Sequence, residues 1–256
     1  MKSLLSFLTE RYNYNIRTKG LLFLVFISLW TTHSFPFETF LTDCGLPECK
    51  VKFRSRHDVY IGCEAIKRAT YFFKINGYEI KTPIDIEFVG NARNKIKKGR
   101  GHKPSIDQFL CQYNTKTKCI KISSWISCAN WNRKAFAVFP MEIEFLTSMV
   151  THEVAHRLFD SILESRAEIT SQSFHEFIAY IAQIETMKEP YKSKVLSLWP
   201  KEKLPSVFAI NSFVWMAEPN KFSILSYNFF KSNPVVFQRI LNGKIKPIEM
   251  EFILDY

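Results

Sequence analysis

The chain has 256 residues, 46% of them hydrophobic and 23% charged, with only 8 Gly. That composition excludes a disordered or low-complexity protein and fits one generous globular domain or two small ones. The net charge of +11 comes without a nucleic-acid motif: the densest basic run, residues 93–103, has interleaved Gly and no Phe, Tyr or Trp. No nucleic-acid partner is expected. The run reads as a solvated loop, with an anionic cell surface as the second reading.

In chain order, residues 1–19 carry Lys2, Arg11, Arg17 and Lys19 against a single Glu10, and Leu21–Trp30 is almost wholly apolar. A basic stretch followed by about ten apolar residues matches a secretory signal and is short for a membrane-spanning helix. Residues 1–34 are therefore expected to be a signal peptide, cut before Phe35, or an uncleaved N-terminal anchor. Export to the periplasm or the medium follows, and membrane contact is expected only if the segment stays attached. All six cysteines, from Cys44 to Cys128, lie beyond that segment and before residue 152. An even set in an exported chain suggests disulfides, and the lack of a CxxC pair argues against a thiolate zinc site.

Residues 35–256 read as one α+β domain, with a β-rich half at 35–131 and a helical half at 132–256. Lys50–Cys63 is rich in β-formers, including Val59, Tyr60 and Ile61, and Cys63–Gly77 has its apolar residues at helical spacing. Ile84–Val89 alternates cleanly and is expected to be a half-buried strand. Gln108–Tyr113 and Lys118–Ile122 make a hairpin around Asn114–Thr117. Cys111 and Cys119 flank its turn symmetrically, and a Cys111–Cys119 disulfide is the expectation there, with free buried thiols as the alternative. The first half is then a small mixed sheet with one helix. Beyond Trp131, Pro140 suits the first turn of a long helix. Asp160–Glu168 reads as a polar connection, and Thr170 or Ser171 caps the next helix. Further helices are expected at Pro190–Leu198, Asn220–Phe230 and Pro234–Leu241.

The first long helix contains His152-Glu153-Val154-Ala155-His156, the HExxH pattern. On a helix, His152 and His156 at i and i+4 leave the same face and can share one metal ion. Glu153 can then reach a water on that ion. A catalytic zinc takes three protein ligands and leaves a fourth position open. Glu176, twenty residues past His156, is the leading third donor. The flanks Phe145–Val150 and Leu158–Phe159 are nearly all apolar, so the helix is expected to be buried. Burying two histidines and a glutamate is costly unless something satisfies them.

The combination of HExxH with Glu176-Phe177-Ile178-Ala179 resembles the gluzincin group of zinc metallopeptidases, whose second helix carries Glu-x-x-Ala or Glu-x-x-x-Asp. The likeness covers about residues 140–190, and the whole layout is similar to the small exported bacterial members. Two positions depart from the pattern: His175, where many members have Asn, and Tyr180, where others place an Asp. The resemblance implies a zincin-like fold, one catalytic Zn2+ held by His152, His156 and Glu176, and Glu153 as general base in peptide hydrolysis. It also implies that the strand at about Cys119–Ser123 forms the edge that aligns an extended peptide. Tyr180, at i+4 from Glu176, is the candidate oxyanion donor, ahead of Tyr191 and Tyr227. Asp160, at i+4 from His156, can orient that imidazole or serve as a helix-end surface acid, and His175 either supports the ligands from behind or is structural. The alternative is an exported zinc-binding protein that keeps the scaffold for a partner and performs no catalysis.

Overall fold

The computed structural model describes residues 40–46, 48–79, 81–90, 111–125, 134–200, 202–206 and 209–245. Residues 1–34, expected to be a signal peptide or anchor, the basic run 93–103 and Cys128 lie outside the described residues. The elements are β1 (Phe40–Thr42), β2 (Cys49–Phe53), α1 (Arg56–Ile75), β3 (Ile84–Val89), β4 (Cys111–Asn114) and β5 (Cys119–Ser123). A short ribbon of β6 (Lys134–Ala135) and β7 (Phe139–Pro140) follows. The helices α2 (Ile143–Ser165), α3 (Gln172–Glu185), α4 (Tyr191–Leu196), α5 (Ser212–Ala217), α6 (Pro219–Ser232) and α7 (Pro234–Leu241) complete the α+β arrangement.

The five-stranded sheet has the order β1-β2-β3-β5-β4. Its three inner strands β2, β3 and β5 run parallel, and β1 and β4 pair antiparallel at the two edges. Strand β3 alternates as expected: Ile84, Ile86 and Phe88 are buried, while Asp85 and Glu87 face the other way. Helix α1 crosses over from β2 to β3 and packs against β2 and α2. Gly62 permits that close approach, because a Cβ there would stand 2.9 Å from Cγ1 of Val51 and 3.2 Å from Cε2 of Phe88. Large rings fill the core, with Phe72, Phe230 and Phe237 meeting edge to face.

Three local expectations are corrected, and one helix is added. Val59-Tyr60-Ile61 is helical, because α1 begins at Arg56. The Ser55 hydroxyl accepts from the Asp58 amide (3.1 Å), and the buried Asp58 carboxylate accepts from the Arg54 amide, the Ser124 hydroxyl and the Trp125 amide. This capping and burial outweigh the modest β preference of Val and Ile. Pro140 lies in β7, paired with Lys134, and α2 begins only after the N-cap at Glu142. Asp160 and Glu164 continue α2 to Ser165, because Leu158, Phe159, Ile162 and Leu163 extend its buried face. The short helix α5, capped by Asn211 through the Val214 amide (3.0 Å), was not foreseen.

The disulfide expectation is also corrected. Cys111 faces Ile122 across the β4–β5 ladder, and Cys119 faces Asn114. The two cysteines are thus three register positions apart and on opposite faces, and no bond joins them. The bridge among the described residues is Cys44–Cys63, which ties the loop after β1 to α1 with a Cα–Cα distance of 5.2 Å.

Ion pairs fix where α2 and α3 lie. Arg68 on α1 forks onto Glu144 in the first turn of α2, with Nη1–Oε1 at 2.5 Å and Nη2–Oε2 at 2.8 Å, and the Lys188 amide adds a third bond to Glu144 (2.8 Å). Both side chains are buried. In the middle of α2, Arg157 donates to the Pro83 carbonyl (3.2 Å) and the Thr82 hydroxyl (2.6 Å), holding the helix to the start of β3. At the end of α3, Glu185 accepts from the Tyr227 hydroxyl (2.7 Å) and from Lys192 (2.9 Å) and pairs with Lys231 (3.3 Å). Burial alone would raise the Glu185 pKa; the Tyr227 and Lys192 hydrogen bonds and the two lysine charges outweigh it and hold the carboxyl below its usual 4.5.

Arg68→Met leaves Glu144 charged and buried without its fork, so urea unfolding should report a loss of about 3–5 kcal/mol. Glu185 has a lowered folded-state pKa, so its contribution is complete above the unfolded value of 4.5 and disappears as pH falls through the lower folded value. Glu185→Gln should therefore destabilise the protein at neutral pH. The gap between variant and parent should narrow in unfolding curves taken at successively more acidic pH below 4.5.

Candidate metal centre

His152 and His156 sit one turn apart on α2, and Glu176 lies in the second turn of α3, the helix packed beside it. Ser171 starts α3 by accepting from the Phe174 amide (3.2 Å), and Glu176 stands a turn further on, on the side that meets α2. The Nε2 atoms of the two histidines are 3.0 Å apart. Glu176 Oε2 is 3.2 Å from His152 Nε2, and Glu176 Oε1 is 3.7 Å from His156 Nε2. Both histidines are buried, and the three residues form a His, His, Glu cluster whose donor atoms all fall within 4.8 Å of one another.

Those spacings suit one small divalent ion. The two Nε2 atoms are 3.0 Å apart, with one Glu176 oxygen 3.2 Å from His152 and the other 3.7 Å from His156, separations comparable to those between donors that each sit about 2 Å from a shared zinc ion. The protonation state suits it too. Burial, reinforced by the neighbouring His152 and His175, holds the His156 pKa well below 6.5. A neutral imidazole keeps a lone pair for a metal, and a carboxylate supplies the negative donor.

Glu153 is half-buried on the same side of α2, and its Oε2 accepts from the backbone amide of Tyr113 at 2.8 Å. Tyr113 belongs to β4, so the sheet edge nearest α2 is β4. Strand β5 lies inside the sheet between β3 and β4, which corrects the expectation that 119–123 forms the edge. The Tyr113 ring lies parallel to the His156 imidazole, with 6.5 Å between centroids. Its hydroxyl donates to Asp160 Oδ2 at 2.7 Å. Burial and the Asp160 carboxylate push the Tyr113 phenol well above its usual 10.

Asp160 is placed differently from its expected role. Instead of turning toward His156, it accepts from Tyr113 and from Lys118 Nζ (3.1 Å) and faces His175 Nε2 at 3.6 Å. Lys118 also reaches Glu164, one turn further along α2, at 2.5 Å. The turn that presents Lys118 is built by Asn114, whose side chain accepts from the Lys116 and Thr117 amides at 2.9 and 3.0 Å. His175 lies beside the cluster, 6.0 Å from the His156 ring and 5.2 Å from Phe159. Burial lowers its pKa, with Asp160 and Glu176 opposing and Lys118 assisting.

Tyr180 is buried, with its ring 4.5 Å from that of His152. The other two tyrosines weighed as donors are engaged elsewhere: Tyr191 donates to Glu142 (2.5 Å) and Tyr227 to Glu185 (2.7 Å). The structure thus brings together His152, Glu153, His156, Glu176, Asp160, His175 and Tyr180. Tyr113 and Lys118 join them without any foreshadowing in the sequence. Tyr113 is 40 residues from Glu153 in the chain, and only the pairing of the hairpin with α2 brings them into contact.

Fold and cluster together define an α+β protein with a two-histidine, one-glutamate donor set on adjacent buried helices. Residues 49–249 match a family described as a family of unknown function, DUF6639, and the chain belongs to that family. Searches among curated proteins and among solved structures return no match.

Proposed function

We propose that the protein is an exported zinc-dependent metallopeptidase with a zincin-like active site. The observation that carries this reading is the convergence of His152, His156 and Glu176 within 4.8 Å, with Glu153 beside them. A purely structural metal site needs no additional carboxylate next to its ligands, whereas hydrolysis needs a base. Zinc is the default ion for two imidazoles and a carboxylate. Bound there, it would supply Lewis acidity to a water and to the scissile carbonyl.

The chain's own residues supply the rest. Glu153 takes a proton from the attacking water and returns it to the leaving amine, an assistance worth about 10²–10⁴-fold. Tyr180, next to His152, is the candidate donor to the oxyanion. Strand β4 is the outermost strand of the described sheet on the side of Glu153; apart from the Tyr113 amide, which Glu153 holds, its backbone is where an extended peptide would pair, and such pairing holds a substrate without reading its side chains. Export is supported by the Cys44–Cys63 bridge, since disulfides persist in oxidising compartments. No helix of the described residues is long and apolar enough to cross a membrane.

The purified protein should contain one zinc per chain by elemental analysis and cleave members of a broad quenched-fluorescent peptide pool in a chelator-sensitive way. Glu153→Gln should keep the zinc and lose about 10²–10⁴-fold in rate, whereas His156→Ala and Glu176→Gln should lose the metal. Absence of stoichiometric zinc from the parent overturns the reading. Zinc without cleavage in parent and variant alike favours the non-catalytic zinc-binding alternative.

A further inference from the structure

The hairpin of β4 and β5 is fastened along one face of α2 at three levels. The Tyr113 amide meets Glu153, the Tyr113 hydroxyl meets Asp160, and Lys118 meets Asp160 and Glu164. Positions 153, 160 and 164 follow one side of the helix, so the strand lies lengthwise over it. Tyr113 pairs with Ile120 of β5, and its amide ends on the Glu153 carboxylate, on the side away from that partner. A glutamate on a helix surface has several rotamers of similar energy, and holding one of them costs roughly 1.5–2 kcal/mol of side-chain entropy. Here a backbone donor, itself held by the phenol bond to Asp160, selects the rotamer in advance.

We propose that Tyr113 is a positioning residue: its amide fixes the Glu153 carboxylate beside the His152, His156 and Glu176 cluster, and its bond to Asp160 keeps the amide in place. The catalytic consequence rests on the peptidase reading; the clamp itself does not. Neither the HExxH string nor the Glu176 helix contains this device, because it comes from the opposite edge of the sheet. An anchored base keeps its distance to the attacking water, and groups that orient reacting residues in this way typically contribute about 10–100-fold.

Hydrogen–deuterium exchange resolved at the Tyr113 amide, on the full chain with and without added zinc, tests the clamp directly. In the parent this edge amide should be protected, and Glu153→Ala should speed its exchange about tenfold or more. Tyr113→Phe keeps the ring and removes the bond to Asp160. It should speed the same amide, retain one zinc per chain, and lower kcat on the quenched-fluorescent pool by about 10–100-fold with KM within about twofold. Asp160→Asn, which weakens the same bond, should act in the same direction, and the double variant should be little worse than either single one. Equal exchange at Tyr113 in parent and Glu153→Ala overturns the proposal. So does a Tyr113→Phe variant whose activity falls only in proportion to lost zinc or lost folded protein. If the parent cleaves no peptide, the peptidase reading is what fails, and the exchange comparison still decides the clamp.

Discussion

The side chains of His152, Glu153, His156 and Asp160 leave α2 on one side and have to be accommodated inside the protein. Most of the helix is buried, so each of these groups needs a partner; an unsatisfied buried polar group costs about 1–3 kcal/mol against a whole-domain stability of only about 5–15 kcal/mol. The surrounding architecture provides those partners. Glu176 arrives from α3, the Tyr113 amide and hydroxyl from the sheet edge, and Lys118 from the hairpin turn. Two imidazole nitrogens and a carboxylate still converge on one point, which is the arrangement a divalent cation satisfies.

Holding that arrangement requires α2 to be fixed along its length. Arg68 grips the first turn through Glu144, Arg157 ties the middle to the approach to β3, and Arg166 at the C-terminus donates to the last carbonyls of α7, Ile240 and Leu241. The middle contact matters most for the cluster, since Arg157 follows His156 directly. Glu185 performs the same service for α3 by tying it to α4 and α6. Charged side chains that look like surface decoration in the sequence are thus the fasteners of the two helices that carry the donors.

The hairpin's role changes how the two halves of the chain relate. By composition the first half reads as a small β layer and the second as the functional layer. In the structure β4 belongs to the site as much as α2 does: its edge amide reaches Glu153, and the ring of Tyr113 lies parallel to His156. The Cys111–Cys119 bridge expected from their symmetric placement would have required those residues to face each other. The observed register instead gives Cys111 to the core and Cys119 to the opposite face, leaving Tyr113 on the face that meets α2.

The chain alone made legible the α+β order, the alternation of β3, the hairpin, a cap of α3 at Thr170 or Ser171, and the three residues of the His152, His156 and Glu176 cluster. These are local: the period of apolar residues, a capping hydroxyl, or two histidines one helical turn apart are readable because their geometry is fixed within a few residues. Glu176 was legible for a related reason, as a second helix of matching pattern a short distance on. Contacts distant in the chain made Val59–Ile61 helical, because Asp58 finds its partners in Ser124 and Trp125, more than sixty residues away. Only the tertiary structure decided that Asp160 would face Tyr113, Lys118 and His175 instead of His156, and that β4 rather than β5 would form the edge beside Glu153. Strand order and helix-to-sheet packing bring together residues that carry no mark of each other in the chain.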